Sequence, residues 1–351
     1  MSSPSSANPK REKLRATFCG LTAALFWSLT VAGGRVLTEA FGGMVSVALI
    51  HTTAAVFCIF YLLISPLARR SLAANSYKYT LGCGTLFVFY ILTFYQALNL
   101  ASSREQVVIV GLINYLWPAL SLGLSIPVLG NRTSLPALLA ANGLALSGVV
   151  LAIVSAGGYS SAGLVEAFRL DFRPYLLALA AAVSWGLYNN FSRRWGANSG
   201  SGSVPVFIIA LAILMSPVLI GNYGRIAWSY GIFGILLFIA VFPTFLAYFF
   251  WDLAQRKGHH AAVNSMAYAI PVLSTLATCL FLKLRIPLLT WLGCLLVIIG
   301  AALSRLVIVE KDGSRELPAG LTLRSIIKFN AGPLRDLLCR ISGGRPGSGG
   351  K

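Results

Sequence analysis

Charge is scarce along most of this chain. Of its 351 residues 11% are Asp, Glu, Lys or Arg and 57% are hydrophobic, with a mean hydropathy of +0.77. A water-soluble domain could not hide that much apolar side chain, so a soluble globular protein is excluded first. Acidic residues are rarer still, 10 against 28 basic, for a net charge of +18. Between Ala16 and Val309 there are 16 Lys/Arg and 5 Asp/Glu in 294 residues, and the other basic residues crowd the two ends. That distribution suits polybasic rims against an anionic lipid surface and excludes a nucleic-acid-binding face. The six cysteines, Cys19, Cys58, Cys83, Cys279, Cys294 and Cys339, form no C-x-x-C pair, and five lie in apolar runs as small packing residues. His259 and His260 have no third ligand at useful spacing, so no metal site is expected.

What the chain has is long apolar runs. A membrane-spanning helix needs about 20 mostly apolar residues, and charged or Gly/Pro-rich breaks divide the sequence into ten such lengths. They are 15–37, 44–65, 79–100, 106–129, 134–155, 175–192, 205–223, 229–254, 260–282 and 286–307. The first is long enough to span, lacks a cleavage site and is followed by many more, so it reads as a retained span rather than a signal peptide. With the amino terminus inside, the inner ends and connections before residue 310 carry 13 Lys/Arg and the outer ones 7, which predicts that both termini are cytoplasmic. Residues 1–14 form a cytoplasmic lead and 156–173 a periplasmic linker. Segment 309–351 is a basic cytoplasmic tail, expected to be mostly disordered, with 321–341 the stretch able to form a surface helix.

The halves 15–155 and 174–308 repeat one another. A shift of 158 lays Leu21, Ala23, Ala24, Trp27, Leu29 and Arg35 over Leu179, Ala181, Ala182, Trp185, Leu187 and Arg193. A shift of 153 lays Tyr95, Leu100, Tyr115, Pro118, Leu120 and Ser121 over Tyr248, Leu253, Tyr268, Pro271, Leu273 and Ser274. Five spans per half is an odd number, so the halves must sit upside down relative to each other. The predicted fold is an all-α polytopic membrane protein of ten transmembrane helices in two inverted five-helix repeats, an architecture of alternating-access transporters with the substrate near the midplane.

Candidate site residues follow from this symmetry. Mid-helix Pro118 and Pro271 remove the backbone bonds to Asn114 and Ala267 and should kink their helices beside a cavity. Helical spacing puts Asn264, Tyr268, Pro271 and Thr275 on one face, with Gly111, Tyr115 and Pro118 at corresponding positions and Asn114, Trp117 and Ser121 adjacent. Tyr248, Trp251, Asp252 and Gln255 share a stripe in span eight, and Tyr90 and Tyr95 face from span three. Trp27 and Trp185 lie near mid-bilayer, away from the interfaces that Trp and Tyr prefer; Tyr188 and Asn189 follow Trp185. A chamber walled by rings with a few amides suits a flat apolar solute with polar ends. For any one ring, ordinary packing is the alternative role. Charged candidates are few: His51, inside span two, is either a neutral packing histidine or a proton-coupling group, and Asp252, the one acid clearly within a span, is close enough to the inner end to reach water or Arg256.

The strings Asn114-Tyr115-Leu116-Trp117-Pro118, Leu86-Phe87-Val88 with Tyr90, Trp27-Ser28, Trp185 with Tyr188, Tyr248 with Trp251, and Tyr268 with Pro271-Val272-Leu273-Ser274 resemble those of bacterial aromatic amino acid exporters of YddG type. These belong to the EamA branch of the drug/metabolite transporter superfamily. The resemblance covers roughly 13–306 and implies an inner-membrane exporter whose cavity is lined by helices one, three, four, six, eight and nine. It departs at Asp252, where many relatives carry a neutral Asn, and in the long tail. The expected substrate is an aromatic amino acid, with other hydrophobic metabolites as further cargo. Trp27, Tyr90, Tyr115, Trp117, Trp185, Tyr248 and Tyr268 are the expected ring contacts and Asn114 and Asn189 the polar ones. A carrier of another small solute within the superfamily is the alternative; phosphorylated sugars would require Lys or Arg at depth, and none lies there. A membrane enzyme would require a nucleophile, base or metal constellation, which His51 and Asp252 do not supply. No cofactor and no catalytic residue is expected. The expected partners are the substrate and the lipid bilayer, and nothing in the sequence specifies an oligomeric state.

Overall fold

The computed structural model describes residues 9–200, 202–222, 228–281 and 286–310. The expectation for the tail past residue 310 lies outside them. The described chain is nearly all helix: α1 Pro9–Ser28, α2 Thr30–Phe41, α3 Gly43–Ile64, α4 Pro66–Ala74, α5 Gly84–Leu100, α6 Arg104–Asn114, α7 Trp117–Leu129 and α8 Leu135–Gly157. There follow α9 Ser161–Leu170, α10 Arg173–Gly196, α11 Val204–Asn222, α12 Tyr230–Ile239, α13 Ala247–Lys257, α14 His260–Met266, α15 Ala269–Phe281 and α16 Leu288–Val307. Lys78–Cys83 leads into α5, and Ala240–Leu246 joins α12 to α13, both as π-helical turns. Local chemistry sets the ends. Ser65, Ser103, Ser160 and Ser229 each accept a hydrogen bond from a backbone N–H of the first turn they precede. Gly130 and Gly158, at φ +73° and +65°, close α7 and α8 in the left-handed region.

Among the described residues seven helical stretches are long and apolar enough to cross a membrane: Gly43–Ile64, Lys78–Leu100, Arg104–Leu129, Leu135–Gly157, Val204–Asn222, Tyr230–Lys257 and Leu288–Val307. The distribution of side chains is inverted relative to a soluble protein. Phe60, Leu63, Leu139, Ile213 and Ile298 are exposed, whereas Asn189, Asn190, Asp252, Gln255, Arg256 and Asn264 are buried. Hydrocarbon is the solvent that makes this arrangement favourable.

Helices pack in four principal pairs, α8 with α16, α3 with α11, α5 with α10 and α1 with α13. The first is built on small residues. Ala141, Ala145, Gly148 and Ala152 on α8 meet Gly293, Val297, Gly300 and Ser304 on α16 at steps of three and four, which lets the backbones approach closely. A Cβ at Gly148 would lie 2.6 Å from the Gly293 carbonyl oxygen and 2.7 Å from the Val297 nitrogen. Hydrogen bonds flank the seam: Ser304 donates to Asn142 Oδ1 at 2.9 Å, and Ser155 and Thr290 hydroxyls are 2.8 Å apart.

The described chain starts and finishes at one end of the bundle. There Arg132–Thr133 pairs antiparallel with Ile308–Val309, and the Glu310 carboxylate accepts from the Ala261 N–H at 2.7 Å, capping α14. Burial raises the Glu310 pKa, but the charges of Arg305 and Arg193, the Ala261 bond and His260 outweigh it and hold the group below the ordinary glutamate range. Lys13 lies 3.9 Å away.

Replacing Gly148 by Leu should therefore wedge α8 from α16 and destabilise the protein by about 2 kcal/mol or more, read as a lower thermal midpoint in detergent. Because the folded pKa of Glu310 is depressed, its contribution is complete above the ordinary glutamate pKa, about 4.3, and is lost as pH falls through the lower folded value. Glu310→Gln should flatten the acid limb of a stability–pH profile below about pH 5 and lower stability at neutral pH.

Candidate functional site

Two helices are interrupted at matched places. The chain leaves helical geometry at Tyr115-Leu116, between α6 and α7, and at Ala267-Tyr268, between α14 and α15. Pro118 and Pro271 follow within the next turn; each lacks an N–H and presses on the carbonyl four residues earlier, so the chain turns tighter instead. Leu116 N–H reaches back three residues to Ile113 O at 3.0 Å, and Ile270 N–H to Ala267 O at 3.0 Å. Pro243 widens a third helix. Its carbonyl, inside the turn Ala240–Leu246, accepts the Trp27 indole N–H at 2.9 Å.

Rings converge between these deformations. Trp185 of α10 is the hub, with ring centroids 4.6 Å from Tyr90, 4.6 Å from Tyr188, 5.7 Å from Tyr248, 6.0 Å from Phe87, 6.2 Å from Trp27 and 6.4 Å from Trp117. Trp251 closes the box against Trp27 at 5.1 Å and Trp117 at 5.4 Å. Most pairs meet edge to face or tilted, the geometry that places positive ring edges on negative faces. Helices α1, α5, α7, α10 and α13 all contribute.

Beside the rings lies a fully buried polar layer. Asn189 donates to Ser121 Oγ at 2.9 Å and to Asn264 Oδ1 at 3.3 Å, and its own oxygen accepts the Trp251 indole N–H at 2.9 Å. Asn264 continues the layer to Gln255 and to the His260 carbonyl. Toward the end that carries Lys257 sits an ion pair. Asp252 Oδ2 accepts from Arg256 Nε at 2.7 Å and from the Tyr79 hydroxyl at 2.7 Å, and Oδ1 from the Tyr188 hydroxyl at 3.0 Å. Arg256 and Asp252 side chains are 1% exposed. The guanidinium also donates to Ser199 O at 2.8 Å, and Tyr79 Oη accepts the Ser203 N–H at 3.1 Å. One ring joins the two layers: Tyr188 stacks on Trp185 and holds Asp252.

The residues singled out from sequence thus separate into groups. Trp27, Tyr90, Trp117, Trp185 and Tyr248 meet in one box. Tyr268 does not reach it: its hydroxyl donates to Asn142 at 3.1 Å, and its ring packs with Val149, Val297 and the partly buried Tyr115 against α8 and α16. The stripe Asn264, Tyr268, Pro271, Thr275 assumes a continuous helix, and the interruption at Ala267-Tyr268 splits it. Asn189 is buried with its oxygen and amide nitrogen both engaged, whereas buried Asn114 keeps Oδ1 without a partner. His51 lies apart, with Nδ1 donating to Val47 O at 2.8 Å, Nε2 unpartnered and its ring 6.4 Å from Tyr95. Asp252 pairs with Arg256, one of its two expected partners, and its charge is compensated in place. Phe87, 4.9 Å from Tyr248, belongs to the box but was legible only as part of the Leu86-Phe87-Val88 string. Tyr79 carries no spacing signal that joins it to Asp252, since the two are 173 residues apart. No group of three or more His, Cys, Asp or Glu side chains able to hold a metal occurs among the described residues.

A buried ring box and polar layer inside an apolar-surfaced helix bundle define an integral membrane protein with a central, charge-compensated interior. Residues 172–306 match the EamA-like transporter family. The chain is 31% identical over 264 residues to the aromatic amino acid exporter YddG of Ancylobacter novellus, covering 74% of this chain and 86% of that protein. It is 26% identical over 300 residues to the aromatic amino acid exporter YddG of Salmonella typhimurium, covering 82% and 96%. A solved crystal structure with 26% identity superposes with a TM-score of 0.68, covering 83% of this chain and 97% of that one. The chain belongs to the EamA-like transporter family.

Asp252→Asn removes the countercharge of a guanidinium that has no water to turn to, and should cost about 3–5 kcal/mol of stability. Adding Arg256→Gln should recover part of that loss, measured as a double-mutant cycle on thermal midpoints in detergent.

Proposed function

We propose that this transporter exports aromatic amino acids across a bacterial inner membrane by alternating access around the ring box. The observation that carries this reading is the convergence of Trp27, Tyr90, Trp117, Trp185 and Tyr248 on one point with no uncompensated charge among them. Rings offer a stacking surface to an aromatic side chain and negative faces to its ammonium, and a zwitterion needs no full countercharge. The names of the exporters to which the chain is similar support the same substrate class.

The transport cycle proposed here uses ten spans in two inverted repeats: α1; α3; α5 with its π-helical lead; α6 with α7; α8; then α10; α11; α12 with α13; α14 with α15; α16. The pairing of helices supports this. Under the repeat, α1 corresponds to α10 and α5 to α12 and α13; α1 packs on α13 as α10 packs on α5. Likewise α1 packs on α15 as α10 packs on α7, while α3 with α11 and α8 with α16 pair counterpart with counterpart. That exchange of partners fits a twofold axis between the halves, and the odd number of spans per half sets it in the membrane plane in this reading. The excess of Lys and Arg at the inner ends supports a cytoplasmic position for both termini and, with them, for the Asp252–Arg256 layer. Rocking of the halves about the small-residue seam then opens the box to one side at a time.

Proteoliposomes loaded with unlabelled phenylalanine should take up labelled phenylalanine, tyrosine or tryptophan by counterflow, with no chemical conversion of the solute. Trp117→Ala, which removes two ring contacts, should lower that exchange about tenfold at equal reconstitution, and Trp117→Phe should keep most of it. Absence of counterflow by the unmodified protein would falsify the reading.

A further inference from the structure

The two helix breaks share a backbone path but not a chemistry. At the repeat shift of 153, Asn114-Tyr115-Leu116-Trp117-Pro118 lies over Ala267-Tyr268-Ala269-Ile270-Pro271. The second break is closed. Tyr268 is 1% exposed with its hydroxyl bonded to Asn142, the Ala267 carbonyl accepts the Ile270 N–H, and a methyl stands where the first half carries an amide. The first break is left open to a donor. Asn114 is 6% exposed and its Oδ1 has no hydrogen-bond partner, although a buried acceptor left unpaired is costly. Pro118 has no N–H to offer the Asn114 carbonyl. The Asn114 amide hydrogen-bonds the Tyr90 hydroxyl, and the Tyr90 ring lies 4.6 Å from Trp185, so the Asn114 side chain borders the ring box.

Three effects of the same sign meet there. The carbonyl end of α6 carries the negative pole of its helix, Oδ1 is an acceptor without a donor, and the ring faces attract a cation. No carboxylate competes, because Asp252 is taken up by Arg256, Tyr79 and Tyr188. We propose that the break between α6 and α7 is the amine subsite of this transporter, with Asn114 Oδ1 accepting from the substrate's primary ammonium. The site is therefore off the symmetry axis, built on one repeat only. The inference rests on the amino acid exporter reading and adds which residue recognises the amine.

The test uses the full chain in proteoliposomes, following phenylalanine counterflow in competition with phenylalanine, phenethylamine, which lacks the carboxylate, and 3-phenylpropionate, which lacks the amine. For Asn114→Ala the inhibition constants of phenylalanine and phenethylamine should rise about tenfold, while that of 3-phenylpropionate stays unchanged. Asn114→Asp, similar in size and a stronger acceptor, should tighten phenethylamine relative to 3-phenylpropionate; this opposite-signed result supports the subsite even if the alanine variant does not fold. Equal losses for all three compounds, or no change in either variant, overturn the amine subsite and leave the exporter reading standing. An unmodified protein that exchanges no phenylalanine overturns both.

Discussion

Hydrocarbon offers no hydrogen bonds, and most of this structure is a consequence of that. Every amide, hydroxyl and charge that the chain carries into the bundle must find its partner within the protein or remain unpaired at a cost. The Asp252–Arg256 pair meets the requirement by saturation, with the carboxylate held by Arg256, Tyr79 and Tyr188 and the guanidinium also donating to Ser199. The Asn189, Ser121, Asn264 and Gln255 network meets it by chaining amides. Asn114 Oδ1 does not meet it. Asn190 Oδ1 is unpaired as well, and what gives the Asn114 oxygen functional meaning is its place at a helix break beside the ring box.

Rigidity and deformability are segregated in the same molecule. The α8–α16 seam is made of small residues whose backbones touch, an arrangement that tolerates little sliding and less added volume. The ring box is bordered instead by interrupted or widened helices: the turns at Tyr115-Leu116 and Ala267-Tyr268 and the π-helical turn around Pro243. Each has fewer regular backbone bonds to lose when it rearranges. Edge-to-face rings suit such a site, because they can slide past one another at small energetic cost while still excluding lipid and water.

Much of the fold could be read from the residue pattern. The apolar run lengths specify helices, the serines and glycines at their ends specify where those helices start and stop, and the prolines mark the two interruptions. The repeat in sequence singled out Trp27 and Trp185, whose ring centroids lie 6.2 Å apart. Less of the site was legible. Helical spacing put Tyr268 on the stripe of Asn264, but that argument assumes an unbroken helix, and the break at Ala267-Tyr268 sends the ring to Asn142. Periodicity likewise ranked Asn114 and Asn189 as equals, and it had no means of linking Tyr79 to a carboxylate 173 residues away.

What the sequence determined alone is the solvent this chain folds in and the character of its segments, because hydropathy and backbone chemistry are properties of neighbouring residues. Only the tertiary structure decided which polar groups are consumed and which are left over. Asn189 is saturated by Trp251, Ser121 and Asn264, and Asn114 is not. Partner choice across helices depends on rotation and depth after packing, quantities that no local pattern contains.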